Sequence, residues 1–214
     1  GTLWIGTWHG LFRLRRGTLA KLGVQDGLPD DAIHRLLRDS QGTLWAATQS
    51  GIARRRIMDA HFSTVPVPGE GASRAAVLFE APAGTVWIGS ANGLARVSGG
   101  RVALITSEQG LPENWVGAGE LDAMGYLWLG QLNGLTRVFL NDLIGVADGR
   151  APTLTTVSTY QSLDGLAGGD PTAWPHPWSF ADSTGKLWFA LAHGIAIVDP
   201  RRAGEVPHDP ITRI

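Results

Sequence analysis

No cysteine occurs anywhere in the 214 residues. That excludes disulfides and thiolate metal sites. It suits the bacterial periplasm and the cytosol equally and selects neither. No apolar run reaches the roughly 18 residues that a membrane-spanning helix needs. No window of about ten residues carries the periodicity of an amphipathic helix, so layered α/β folds are set aside. Charge is not in large excess, the net value being −1. The densest basic run, Arg54-Arg55-Arg56, has no interleaved aromatics. It reads as a solvated strand end, and no nucleic acid is expected as a partner. The charge is unevenly spread all the same. Residues 1–60 carry 9 basic and 5 acidic side chains, and residues 61–180 carry 5 and 10.

Signals of catalysis are also missing. The 6 histidines include no pair four residues apart, so no metal ligand set and no cofactor are expected. No serine sits in a nucleophile-elbow context. Asp26, Asp30 and Asp31 are close in sequence, and paired carboxylates do acid–base work. Beside Gly27 and Pro29, however, they read as turn chemistry. No catalytic residue is expected, and the chain is not read as an enzyme.

What is present is a repeat. The motif GTVWIGSANGLAR at residues 84–96 recurs at residues 1–13, 42–54, 125–137 and 185–197. The leading glycines, at 1, 42, 84, 125 and 185, are 41, 42, 41 and 60 residues apart. A period near 40 marks a repeat architecture. Of 9 tryptophans, Trp4, Trp45, Trp87, Trp128 and Trp188 fill one equivalent position, which reads as packing. Each motif is two β-forming runs around a turn that ends in glycine. Asn92-Gly93 and Asn133-Gly134 are hairpin signals, expected as tight primed turns with positive φ at the central residues. An earlier strand enters through turns such as residues 39–42 and 182–185, and a fourth follows the hairpin. Four antiparallel strands in about 41 residues suit a propeller blade. A stacked β-solenoid has a similar period.

The fold class is therefore all-β, a β-propeller of about five four-stranded units. Blade cores are placed at residues 1–23, 33–65, 75–106, 116–160 and 179–199. The first lacks its leading strand, and the fourth carries an insertion around residues 141–152. The chain opens on the motif, without Met or a signal peptide. It is read as a piece of something longer, an open or partial arc of a larger, seven-bladed propeller.

The pattern G-x-L-W-I-G-T-x-x-G-L-x-R, with Asp26-Gly27-Leu28-Pro29 and Gly110-Leu111-Pro112 between units, resembles the two-component regulator propeller repeat. The likeness covers nearly all of the chain. Departures are Ala46-Ala47, Ala190 and Ile197 at motif positions. The resemblance implies the C-terminal part of a periplasmic sensor propeller. Residues 1–200 would be propeller, and residues 201–214 would lead into an immunoglobulin-like module. A membrane helix and a kinase or cyclase would follow in the parent, which sits in the inner membrane. It implies a glycan-type or other small ligand, and a homodimer of the parent. This segment would make no membrane contact of its own.

Repetition separates scaffold from site. Arg13, Arg54, Arg96 and Arg137 are equivalent and read as inter-strand or inter-blade pairing. A ligand breaks the symmetry, so singular residues in turns and links are the better candidates. They are Trp8 and His9, Asn114 and Trp115, and Trp174, His176 and Trp178. Tryptophan faces beside amide or imidazole donors suit sugar rings, although Trp174 and Trp178 also suit packing against neighbouring prolines. The expected function is ligand sensing. The alternatives are a protein–protein scaffold, or a propeller lyase or glycosidase using Asp26 or His176.

Overall fold

The structure is a computed structural model, which describes residues 1–69, 77–160, 179–191, 194–203 and 211–213. Its strands form five antiparallel sheets, each built from strands consecutive in the chain. The first sheet has β1 (Thr2–Thr7), β2 (Gly10–Arg15) and β3 (Thr18–Leu22). The second has β4 (Ile33–Arg38), β5 (Leu44–Thr48), β6 (Gly51–Arg55) and β7 (Ser63–Val65). The third has β8 (Val77–Glu80), β9 (Thr85–Ser90), β10 (Gly93–Ser98) and β11 (Arg101–Ile105). The fourth has β12 (Ala118–Leu121), β13 (Tyr126–Gln131), β14 (Gly134–Phe139) and β15 (Ser158–Tyr160). The fifth has β16 (Ser179–Ala181), β17 (Leu187–Leu191), β18 (Gly194–Val198) and β19 (Ile211–Arg213). The chain divides into two compact units, Gly1–Leu104 and Ile105–Ile214.

Three expectations are corrected. Ile211–Arg213, assigned to a following module, instead pairs with β18 and supplies the fourth strand of the fifth sheet. The insertion in the fourth unit is an α-helix, α1 (Leu140–Ala147), with Leu143 fully buried and Leu140 and Val146 nearly so. Eight residues are two turns, too short for a ten-residue periodicity to register. The hairpin turns also differ. Among the described residues the only non-glycine with positive φ is Arg16, so Asn92 and Asn133 do not take it. The glycine after them does, at φ 134° for Gly93 and 147° for Gly134. A hydroxyl before the loop ties the turn instead. Thr7 Oγ1 donates to the Gly10 carbonyl (2.8 Å) and accepts from the His9 amide (3.1 Å), and Thr48 repeats both bonds.

Alternation along β5 shows how the sheets stack in the first unit. Leu44 and Ala46 pack toward the first sheet with Leu11, Leu22 and Ile33. Trp45 and Ala47 pack toward the third with Val86, Ile88 and Ala95. This is the period of two of a strand buried on both faces. In the second unit Trp128 and Leu135 meet Leu187, Phe189, Ala196 and Val198. Each fully buried large side chain contributes roughly 1.5–3 kcal/mol.

Asp142, in the first turn of α1, fastens the loop into β15. Its Oδ2 accepts from the Thr155 amide (2.6 Å) and the Thr156 amide (2.9 Å). Partial burial raises its pKa, but these bonds and those from the two hydroxyls outweigh it and hold the carboxyl below its usual value. A depressed folded-state value stabilises above the unfolded pKa of about 3.9 and loses that contribution as pH falls through the folded value. In urea unfolding, Asp142→Asn is therefore less stable than wild type at pH 7, and the gap closes toward pH 2.

Candidate functional site

The repeated tryptophans are held by a device that spacing alone did not disclose. The Trp45 indole N–H donates to Asp39 Oδ2 (2.8 Å), Trp128 to Asp122 (2.9 Å) and Trp188 to Asp182 (2.8 Å). The other oxygen of each carboxylate accepts two backbone amides of its turn, for example Gln41 and Thr43 on Asp39. In the third sheet the Ala81 carbonyl takes the Trp87 indole instead (2.5 Å). The signal was legible as Asp-x-x-Gly-x-Leu-Trp, six residues from carboxylate to indole. The repeated arginines share this structural character. The Arg54 guanidinium lies 5.6 Å from the Trp45 ring centroid. Arg137 lies 3.7 Å from that of Tyr126 and donates to the Ala203 carbonyl.

The links between units are equally structural. Asp26 accepts from the Gly23 amide, Asp31 from the Val24 amide, and Asp30 from the Ala32 amide. Leu28 and Leu111, the leucines of the two Gly-Leu-Pro links, are buried to 2% and 3% exposure. The Phe62 amide donates to the Asp26 carbonyl and the Leu154 amide to the Gln109 carbonyl, so each link is stitched to the lead-in of a fourth strand.

One cluster is not repeated. Trp8, in the β1–β2 turn, is 56% exposed. Its ring meets the His34 ring edge-on, with centroids 5.2 Å apart and an interplanar angle of 87°. His34 Nε2 lies 2.9 Å from Gln49 Oε1, in the β5–β6 turn. The pairing of β4 with β5 slips between Ile33 and Arg35, leaving His34 as the extra residue. Such a bulge re-aims a side chain. Asp30 stands beside this group, accepting from the Ser50 hydroxyl (2.7 Å). Its pKa is lowered by the Ala32 amide, then by Ser50, with a smaller contribution from His34. The cluster offers an aromatic face, an imidazole, an amide and a carboxylate on one surface of the first unit.

The other expected site residues divide. His9 is exposed beside Trp8. Asn114 is tied into its link, Oδ1 accepting from the Ser107 amide (2.7 Å). Trp115 lies across Gly117, where an added Cβ would stand 1.8 Å from the indole. Trp174, His176 and Trp178 lie outside the described residues. His34 and Gln49 carry no sequence signal, since a histidine on a strand and a glutamine in a hairpin turn are ordinary there. Among the described residues no group of three metal-ligating side chains occurs, and no helix is long and apolar enough to cross a membrane.

Sheets of this size and order, repeated along one chain, define the β-propeller class, and solved structures agree. The extracellular domain assigned to a hybrid two component system of B. thetaiotaomicron aligns over 100% of this chain and 27% of its own, with a TM-score of 0.74 and 20% identity. A second B. thetaiotaomicron extracellular domain, assigned to a one component system, aligns over 100% and 29%, with a TM-score of 0.74 and 20% identity. Virginiamycin B lyase from Staphylococcus aureus aligns over 100% and 66%, with a TM-score of 0.65 and 15% identity. At these identities the likeness establishes the fold alone, and this chain spans under a third of either sensor structure. No curated protein sequence matches it. Residues 27–50 match the family model described as two component regulator propeller. That segment runs from the first link through β5.

Proposed function

We propose that this chain is the ligand-sensing part of an extracytoplasmic signalling protein, and that it binds a saccharide at the Trp8 cluster. The observation that carries the reading is that the cluster breaks the repeat. Every repeated polar side chain traced above is engaged in holding blades or links together, whereas Trp8 is exposed and lies beside His34 and Gln49. A sugar ring presents an apolar face to such an indole and hydroxyl edges to imidazole, amide and carboxylate. The resemblance to sensor propellers supports a periplasmic location and a relay to a downstream kinase or cyclase. Binding would act by favouring one of two arrangements of the parent protein.

Calorimetric titration with a panel of neutral oligosaccharides tests this. A binder is expected whose affinity falls at least tenfold in Trp8→Ala. Thermal stability should stay within about 0.5 kcal/mol, since an exposed residue is removed. If the whole panel fails to bind, the reading falls.

A scaffold role is favoured by a different observation. Leu3, Ile5 and Leu19 of the first sheet are 56%, 40% and 58% exposed, and Phe180 and Ile195 of the fifth are 54% and 48% exposed. The motif equivalents of Leu3 and Ile5 in the second sheet, Leu44 and Ala46, are buried against a neighbouring sheet. These outer faces suit another blade-like face, including one from a second copy. Sedimentation at rising concentration should then show a rising mass; a constant monomer mass rules out self-association.

A further inference from the structure

At the opposite ends of the strands that present the Trp8 turn, the first and second sheets leave a groove of about 380 Å³. Arg13, Arg15, Arg38, Arg55 and Arg56 all line it, together with Trp4, and no carboxylate residue is among its lining residues. The unevenness of charge in the sequence thus becomes a place: five of the nine basic side chains of residues 1–60 converge there. They come from three strands, β2 (Arg13 and Arg15), β4 (Arg38) and β6 (Arg55), and from Arg56 just after β6.

The arginines are not neutralised by the fold. Arg55 Nε donates to the backbone carbonyl of Asp59 (3.0 Å), and its guanidinium stands 5.9 Å from the Trp4 ring centroid. The Asp59 carboxylate accepts from the backbone amide of Arg56, not from its side chain. Arg15, Arg38 and Arg56 are exposed. Like charges gathered in one concavity repel and raise the local concentration of anions. A guanidinium matches a carboxylate, sulfate or phosphate group with two parallel hydrogen bonds.

We infer that this groove is an anion-binding site for a compact ligand carrying two or more oxyanion groups, of the kind found on an acidic or sulfated saccharide. Its volume is that of a small-molecule site. A nucleic-acid strand would need an extended basic track with stacking aromatics, and the groove holds one tryptophan, already covered by Arg55. The inference does not depend on the Trp8 cluster, which shares no residue with the groove.

The test is calorimetric titration of the whole chain with digalacturonate, a disulfated disaccharide, a neutral disaccharide, inorganic sulfate and a 12-nucleotide single-stranded DNA. At least one of the first two is expected to bind ten or more times tighter than the neutral disaccharide and inorganic sulfate, and to weaken as salt rises. Whichever binds tells carboxylate from sulfate. The double variant Arg38→Gln/Arg56→Gln should lose at least tenfold, and Arg15→Gln should move the same way. All three residues are exposed, so the fold should survive, which circular dichroism checks. Arg101→Gln/Arg150→Gln removes the same charge elsewhere and should change affinity less than twofold. Binding no tighter than inorganic sulfate (an adventitious ion only), binding that survives loss of the groove arginines, or tighter binding of the DNA would each overturn the inference.

Discussion

Asp122→Ala lowers the stability of the chain by about 3 kcal/mol, read from the urea midpoint followed by tryptophan fluorescence. The carboxylate is 6% exposed and Trp128 is fully buried. One oxygen holds the indole, and the other accepts the Met124 and Tyr126 amides at 2.9 Å each. Alanine strands a buried indole N–H and loosens the turn that feeds β13. Hydrogen bonds to a charged group are worth about 1.5–3 kcal/mol each, and a buried donor left unpaired costs about 1–3 kcal/mol. The fifth sheet supplies the control. Trp188 is only half-buried there and Asp182 is far from fully covered. Water can replace the lost acceptor, so Asp182→Ala should cost clearly less than Asp122→Ala. Equal losses would show that the carboxylate acts through its turn rather than through the indole.

Gly27→Ala should be as damaging, at about 3 kcal/mol or more, while the same change at Gly110 costs about 1 kcal/mol. Both glycines end a short 3-10 turn with left-handed backbone, φ 90° and 97°. An L side chain pays about 1–2 kcal/mol for that conformation. The difference lies in what the new methyl group meets. At Gly27 it would stand 2.1 Å from the Phe62 carbonyl oxygen, a backbone atom inside the stitch between link and β7. At Gly110 its nearest neighbour, Leu154, is at 3.4 Å. The second link therefore pays only for conformation, whereas the first must also move its backbone. Comparable midpoints for the two variants would mean that the Asp26–Phe62 contact yields easily.

Much of this was readable from one sequence because a blade is a local object. Hairpins such as β9–β10 join residues a few positions apart, and five variants of one motif average out the accidents of any single copy. The equivalence of Trp45, Trp87 and Trp128 marks them as packing residues, and all three are buried. The hairpin turns differ in detail from what Asn-Gly implies. Asn-Gly suggests a primed turn, but Thr7, Thr48 and Ser90 tie the loop from the residue before it. The helix Leu140–Ala147 escaped because two turns carry too little periodicity to separate from noise. The strand Ile211–Arg213 goes to the next module only by resemblance, whereas its pairing with β18 is set by the tertiary structure.

Local order along the chain, then, was enough to specify the blades: where a strand starts, which face is apolar, which turn needs glycine. Those choices depend on neighbours within a few residues, and the repeat writes them five times. The convergences were decided only in three dimensions. His34 meets Trp8 because a bulge in β4 turns it out of register, and Gln49 reaches it from a turn fifteen residues on. Arg13, Arg38 and Arg56 share a groove because two sheets stack face to face. No spacing in the sequence encodes such meetings, since they are set by how one buried face packs on the next.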